Sequence, residues 1–107
     1  MLVLPIKKKW FDMIKAGEKL EEYREIKPYY KKRLLNYFEY SDYGSIILRN
    51  GYNRESPSLL CLCTLDIGIG KPEWGAEENK KYYILRIKEA KEITKKPPKK
   101  KRKENET

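Results

Sequence analysis

The sequence predicts an α+β fold: a small, partly open β-barrel of about five strands with two short helices near the N-terminus. Two segments with helical periodicity both fall within the first 40 residues. After them come strand-like runs punctuated by turn residues, an order that favours α+β or a partly open barrel over a doubly wound parallel sheet. The 107 residues leave room for one domain.

Taken in order, residues 2–6 (LVLPI) read as a short strand, with Pro5 marking an edge or an end. Residues 7–16 place Trp10, Met13 and Ile14 at helical spacing among lysines, and Gly17 stands where a helix C-cap is expected. In this pattern Trp10 reads first as a core residue. Residues 19–26 (KLEEYREI) read as a strand with Leu20, Glu22, Arg24 and Ile26 on one face and Lys19, Glu21, Tyr23 and Glu25 on the other. Pro28 suits the first position of a second helix, whose buried side is expected to carry Tyr30, Leu34 and Tyr37. Residues 45–50 form the third strand, and Asn50-Gly51 signals a hairpin through GYNRESP. The run 59–69 reads as a long buried strand, GKPEWG as a loop, and 80–93 as the last strand with Tyr83, Leu85 and Ile87 on one face.

The net charge of +9 is unevenly placed. Residues 95–107 (KKPPKKKRKENET) carry +5 and nothing apolar to bury, so they are expected to form a disordered basic tail after a domain spanning 1–94. Such a tail suits phosphate neutralisation, and it also resembles a nuclear-localisation pattern. No apolar run approaches the ~18–20 residues of a membrane span, and MLVLPI is too short for a signal peptide core. The expected setting is therefore cytoplasmic, or nuclear in a eukaryotic host, with no membrane partner.

Histidine is absent, which excludes Ser-His-Asp and Cys-His machinery. Cys61 and Cys63 share one face of a strand, too close for an unstrained disulfide and without two further zinc ligands at recognisable spacing. They read as buried thiols, and neither a metal nor a cofactor is expected; GIGKPEWG lacks the strand-to-helix setting of a dinucleotide fingerprint. Glu22 and Arg24, facing inward, must pair or line a polar cleft. Nine tyrosines exceed what so small a core needs. With Trp10, Trp74, Tyr23, Tyr52 and Tyr82 among the aromatics and lysines interleaved, the pattern suits stacking of unpaired bases.

The segment LPIKKKWFDMIKAGEKLEEYRE resembles the opening of ASCH domains, small barrels of the PUA-like superfamily. Their G-x-K-x-x-E-x-R element falls here on Gly17, Lys19, Glu22 and Arg24. The likeness continues through SIILRNGY, LCTLDIGIG, EWG and YYILRIKEA, over roughly residues 2–90, with Leu20 where many members carry threonine. The resemblance implies a cleft between the first helix, the second strand and nearby loops, and a partner that is RNA or a nucleotide, with DNA as an alternative. It also implies a second possibility, since some small bacterial members are amidohydrolases that deacetylate acetylated cytidine. Carried over, Lys19 and Glu22 would be catalytic, with Glu73 or Asp66 as the second carboxylate. Lys19, Glu22, Arg24, Trp10, Trp74 and Tyr23 would bind the ligand. A protein-interaction module with an acidic partner is the third reading.

Overall fold

The structure, a computed structural model, describes residues 1–93. The basic tail expected at 95–107, and the boundary expected at 94, lie outside those residues.

Strand β1 (Leu2–Pro5) leads into helix α1 (Lys8–Lys15), then strand β2 (Glu21–Glu25) and helix α2 (Pro28–Tyr37). Strands β3 (Tyr43–Arg49), β4 (Ser58–Ile69) and β5 (Lys81–Glu92) complete the sheet, with a one-turn 3-10 helix at Pro72–Trp74 before β5. The fold is thus α+β, with five strands in the order β1-β3-β4-β5-β2. β1 runs parallel to β3; the other neighbours are antiparallel. The sheet curls into a half-barrel, so that its two edges, β1 and β2, approach each other. The guanidinium of Arg24 on β2 spans the remaining gap, donating from Nη2 to the carbonyl of Pro5 on β1 at 2.6 Å.

The core fills the concave face. Ile46, Leu48, Leu59, Cys61, Cys63, Tyr83 and Leu85 meet Phe11 and Ile14 of α1 and Leu34 of α2. In α1 the buried residues are Phe11 and Ile14, with Trp10 half-buried at the margin of the core. The helix ends as its sequence dictates, with Gly17 at φ +79°. Pro28 opens α2, but Tyr37 is 36% exposed and does not join Leu34 in the core. The Tyr37 ring lies edge-on to Phe38, and its hydroxyl donates to the Ser45 carbonyl.

Two further sequence expectations are corrected. Leu20 and Ile26, expected to bracket Glu22 and Arg24 on an inward face, are 52% and 47% exposed. β2 has only five residues, and both flank it outside the covered part of the sheet. In β4 the burial expected along the whole run stops partway, and Ile67 and Ile69 lie exposed. A bulge occurs in that pair. Leu62 faces Glu89 while Cys63 faces Ile87, which leaves Lys88 as the extra residue. The bulge keeps Ile87 on the core face, turns Ala90 towards Cys61, and adds the local twist a curled sheet requires.

No helix among the described residues is long and apolar enough to cross a membrane.

Candidate functional site: a polar cleft at the seam of the half-barrel

Where β1 and β2 face each other without a ladder, a cleft of about 600 Å³ opens. Its walls come from the end of β1 (Pro5, Ile6, Lys7), from Trp10 on α1, from Glu22–Glu25 on β2, and from Tyr30 on α2. Asn50, Gly51 and Tyr52 of the β3–β4 loop close one side. The volume lies within the ~300–1,000 Å³ of small-molecule sites. The seam exists because an edge strand must leave half of its backbone groups unpaired by the sheet. On β1 those groups are met by arginines: Arg24 takes the Pro5 carbonyl, and Arg33 donates to the Val3 carbonyl at 3.2 Å.

At the floor, Glu22 lies between two cations. Its Oε1 is 3.3 Å from Lys19 Nζ and its Oε2 is 2.8 Å from Arg24 Nη2. The side chains of Lys19, Glu22 and Arg24 are 1%, 8% and 10% exposed, so this is an ion triad with one carboxylate for two cations. A buried charge of this kind persists only when its hydrogen bonds are met. Lys19 Nζ also donates to the Trp74 carbonyl at 2.7 Å and stands 4.9 Å from the ring centroids of both Trp10 and Tyr23. Desolvation holds the Lys19 ammonium below its ordinary pKa, opposed by the Glu22 carboxylate and reinforced by the Arg24 charge.

Arg24 is the open member of the triad. Its Nη2 serves Pro5 and Glu22, and its Nη1 donates to the Tyr30 hydroxyl at 3.3 Å. Its Nε–H is buried without a hydrogen-bond partner among the described residues. Such an orphaned donor is costly, and it belongs to a side chain that lines the cleft. The excess positive charge and the unused donor both fit an anionic or oxygen-rich ligand.

The structure separates the residues singled out from the sequence into two groups. Glu22, Arg24, Tyr23, Trp10, Tyr52 and Tyr82 line the cleft. Lys19, expected to bind the ligand, does not: it is buried behind Glu22. Trp74 is absent from the cleft lining as well; its carbonyl fixes Lys19 while its ring lies 4.8 Å from the Lys71 ammonium. Glu73 is exposed in the 3-10 turn outside the lining. Asp66 pairs with Arg86, which also holds Glu21, the neighbour of Glu22, and alternation along β2 puts both on the opposite face of the sheet from Glu22. Neither proposed second carboxylate therefore reaches the triad.

Tyr23 is fixed at both ends of its hydroxyl, which donates to Glu21 Oε1 at 2.7 Å and accepts from the Lys71 amide at 2.9 Å. Burial raises its phenol pKa. Tyr52, 90% exposed at the rim, is the freest aromatic surface beside the cleft. Sequence reasoning missed Tyr30 as a polar partner, reading it only as helix core, and missed Lys7 and Lys27 as rim cations. Only their place in lysine-rich flanks hinted at them.

Among the described residues no three His, Cys, Asp or Glu side chains are grouped to hold a metal ion. Comparison with protein-family models, with curated proteins and with solved structures gave no match in any of the three.

Proposed function

We propose that this chain is an RNA- or nucleotide-binding domain of the ASCH type within the PUA-like superfamily, and that the seam cleft receives a nucleotide. The observation that carries the reading is Arg24, which lines the open cleft while its Nε–H is buried without a hydrogen-bond partner among the described residues. A guanidinium held by three partners has little entropy left to lose, which suits its unused donors to a phosphate or base oxygen. Tyr52, Tyr23 and Trp10 supply ring surface beside it, and Lys7 and Lys27 add charge at the rim. The net charge of +9 favours encounter with a polyanion.

The test is fluorescence anisotropy of a labelled short RNA on wild type and on Arg24→Lys. Lysine keeps the charge but cannot reproduce the fork, and affinity should fall roughly tenfold, as expected for hydrogen bonds to charged groups. Equal affinities would remove Arg24 from the binding site and the reading with it.

One observation favours a second reading, hydrolysis of an acylated nucleoside such as N4-acetylcytidine. Glu22 lines the cleft with Lys19 3.3 Å behind it, a carboxylate held where it can meet a substrate water. Water would add to the acetamide carbon and the amide bond would break, giving acetate and cytidine. In this geometry Lys19 positions Glu22 rather than touching substrate. Chromatography of the nucleoside after incubation decides: cytidine formed by wild type and lost in Glu22→Gln supports hydrolysis, and unchanged substrate rejects it.

A further inference from the structure

Beyond the cleft, the structure holds a second basic concavity, on the other side of the β3–β4 loop. Ile47, Arg49, Arg54, Ser58 and Ile93 line a pocket of about 220 Å³. Ile47 and Arg49 alternate with the buried Ile46 and Leu48, so they point to the convex face of the sheet, away from the core. The loop at residues 50–57 therefore has two functional sides: Asn50, Gly51 and Tyr52 face the cleft, and Arg54 faces this pocket.

The chemistry of the pocket is one-signed. Neither lining arginine has a carboxylate partner among the described residues, whereas Arg24 and Arg86 are both paired with carboxylates. Arg49 is also oriented. Its Nε donates to Ser58 Oγ at 3.2 Å, and that hydroxyl in turn donates to the Ser56 carbonyl at 3.0 Å. With Nε anchored, the two Nη groups of Arg49 make no hydrogen bond among the described residues and are left to meet a ligand. Ile47 and Ile93 form an apolar floor that limits water around the guanidinium, which strengthens its interaction with an anion.

We propose that Arg49 and Arg54 form a binding site for a tetrahedral phosphate group, separated from the cleft by a single loop. Two sources share this chemistry: free inorganic phosphate, and a phosphodiester of an RNA strand whose neighbouring nucleotide occupies the cleft. The second source rests on the proposed function; the site itself does not.

Arginine Nε–Hε resonances of the full chain, followed by NMR, read the two sites separately. Titration with inorganic phosphate and with a tetranucleotide RNA should move Arg49 saturably. Arg54→Ala, an exposed substitution outside the core, should weaken that response roughly tenfold, the worth of hydrogen bonds to a charged group, while leaving Arg24 as in wild type. A response to phosphate alone identifies a free-phosphate site, and a response to the tetranucleotide identifies the phosphodiester. Movement of Arg49 with Arg24 still would keep this site and reject the cleft reading. If Arg49 is unmoved by both ligands, or Arg54→Ala binds as wild type does, the site does not exist.

Discussion

Each residue of the triad at the seam has a distinct burden. Glu22 is the only carboxylate among three buried ionic side chains, so its removal leaves two cations in a dry site. Glu22→Gln should destabilise the fold by about 3 kcal/mol, in line with breaking a buried pair, measured by urea unfolding. A change below about 1 kcal/mol is the size expected of a surface pair, and would show the triad to be solvated. The thiols behave differently. Burial pushes Cys61 and Cys63 from their ordinary 9.0 up to about 12. In the unfolded chain these protons leave first, so between those values the native state holds more protons and stability falls as pH rises. Lys19, depressed by burial, acts in the opposite sense, with stability rising as pH approaches its ordinary 10.5. Comparing unfolding midpoints at about pH 8 and about pH 10 separates the two contributions. A Cys61→Ala/Cys63→Ala double variant should lose less stability over that interval than wild type, and an equal loss would mean the thiols do not titrate as their burial dictates.

At the scale of elements, the one-turn helix at Pro72–Trp74 does more than connect β4 to β5. It delivers the Trp74 carbonyl to Lys19, 55 residues away in sequence. It ends on Gly75 at φ +104°, where an added Cβ would meet the Trp10 indole at 3.0 Å. Gly75→Ala should therefore cost about 1 kcal/mol or more, since both the left-handed backbone and the contact oppose it. Trp10 fluorescence should shift along with the unfolding midpoint; a stable variant with unchanged emission would show that the turn does not press on the indole. The same turn explains what the sequence could not reveal about Lys19. Its place in the motif was legible, but its burial depends on a distant loop folding over it. The strands and helices were legible because period and turn chemistry agree over Leu2–Pro5, Lys8–Lys15 and residues 45–49. The bulge at Lys88 was not, because alternation of Tyr83, Leu85 and Ile87 reads equally well with or without an extra residue after it. Leu20, Ile26 and Ile67 are apolar at strand-like positions, yet what packs over each of them, a tertiary property, decides their exposure.

Across the whole molecule, a curled sheet that does not close leaves a seam, and the seam serves as the candidate site. Arg24 stands in both roles. It joins β2 to β1 through the Pro5 carbonyl, and it lines the cleft with its Nε–H unpartnered among the described residues. The distribution of candidate residues follows from that architecture: those on β2, α1 and the β3–β4 loop converge, whereas Asp66 and Glu73 belong to the other face and to an outer turn. Residues 95–107 contribute +5 of the net charge, so their deletion should flatten the salt dependence of RNA affinity while sparing contacts in the cleft. Affinity measured over a range of salt with and without those residues checks this, and an unchanged slope would locate the phosphate contacts elsewhere.

The claim on which the account turns is that the orphaned Arg24 donor is a ligand contact. The Arg24 Nε–Hε resonance of the full chain, followed by NMR during titration with a cytidine nucleotide, tests it most directly. A saturable downfield shift, accompanied by amide shifts at Glu22, Tyr30 and Tyr52, is the predicted result. An Arg24 resonance that stays fixed while the nucleotide binds elsewhere would contradict it, and the seam would then be a feature of barrel closure alone.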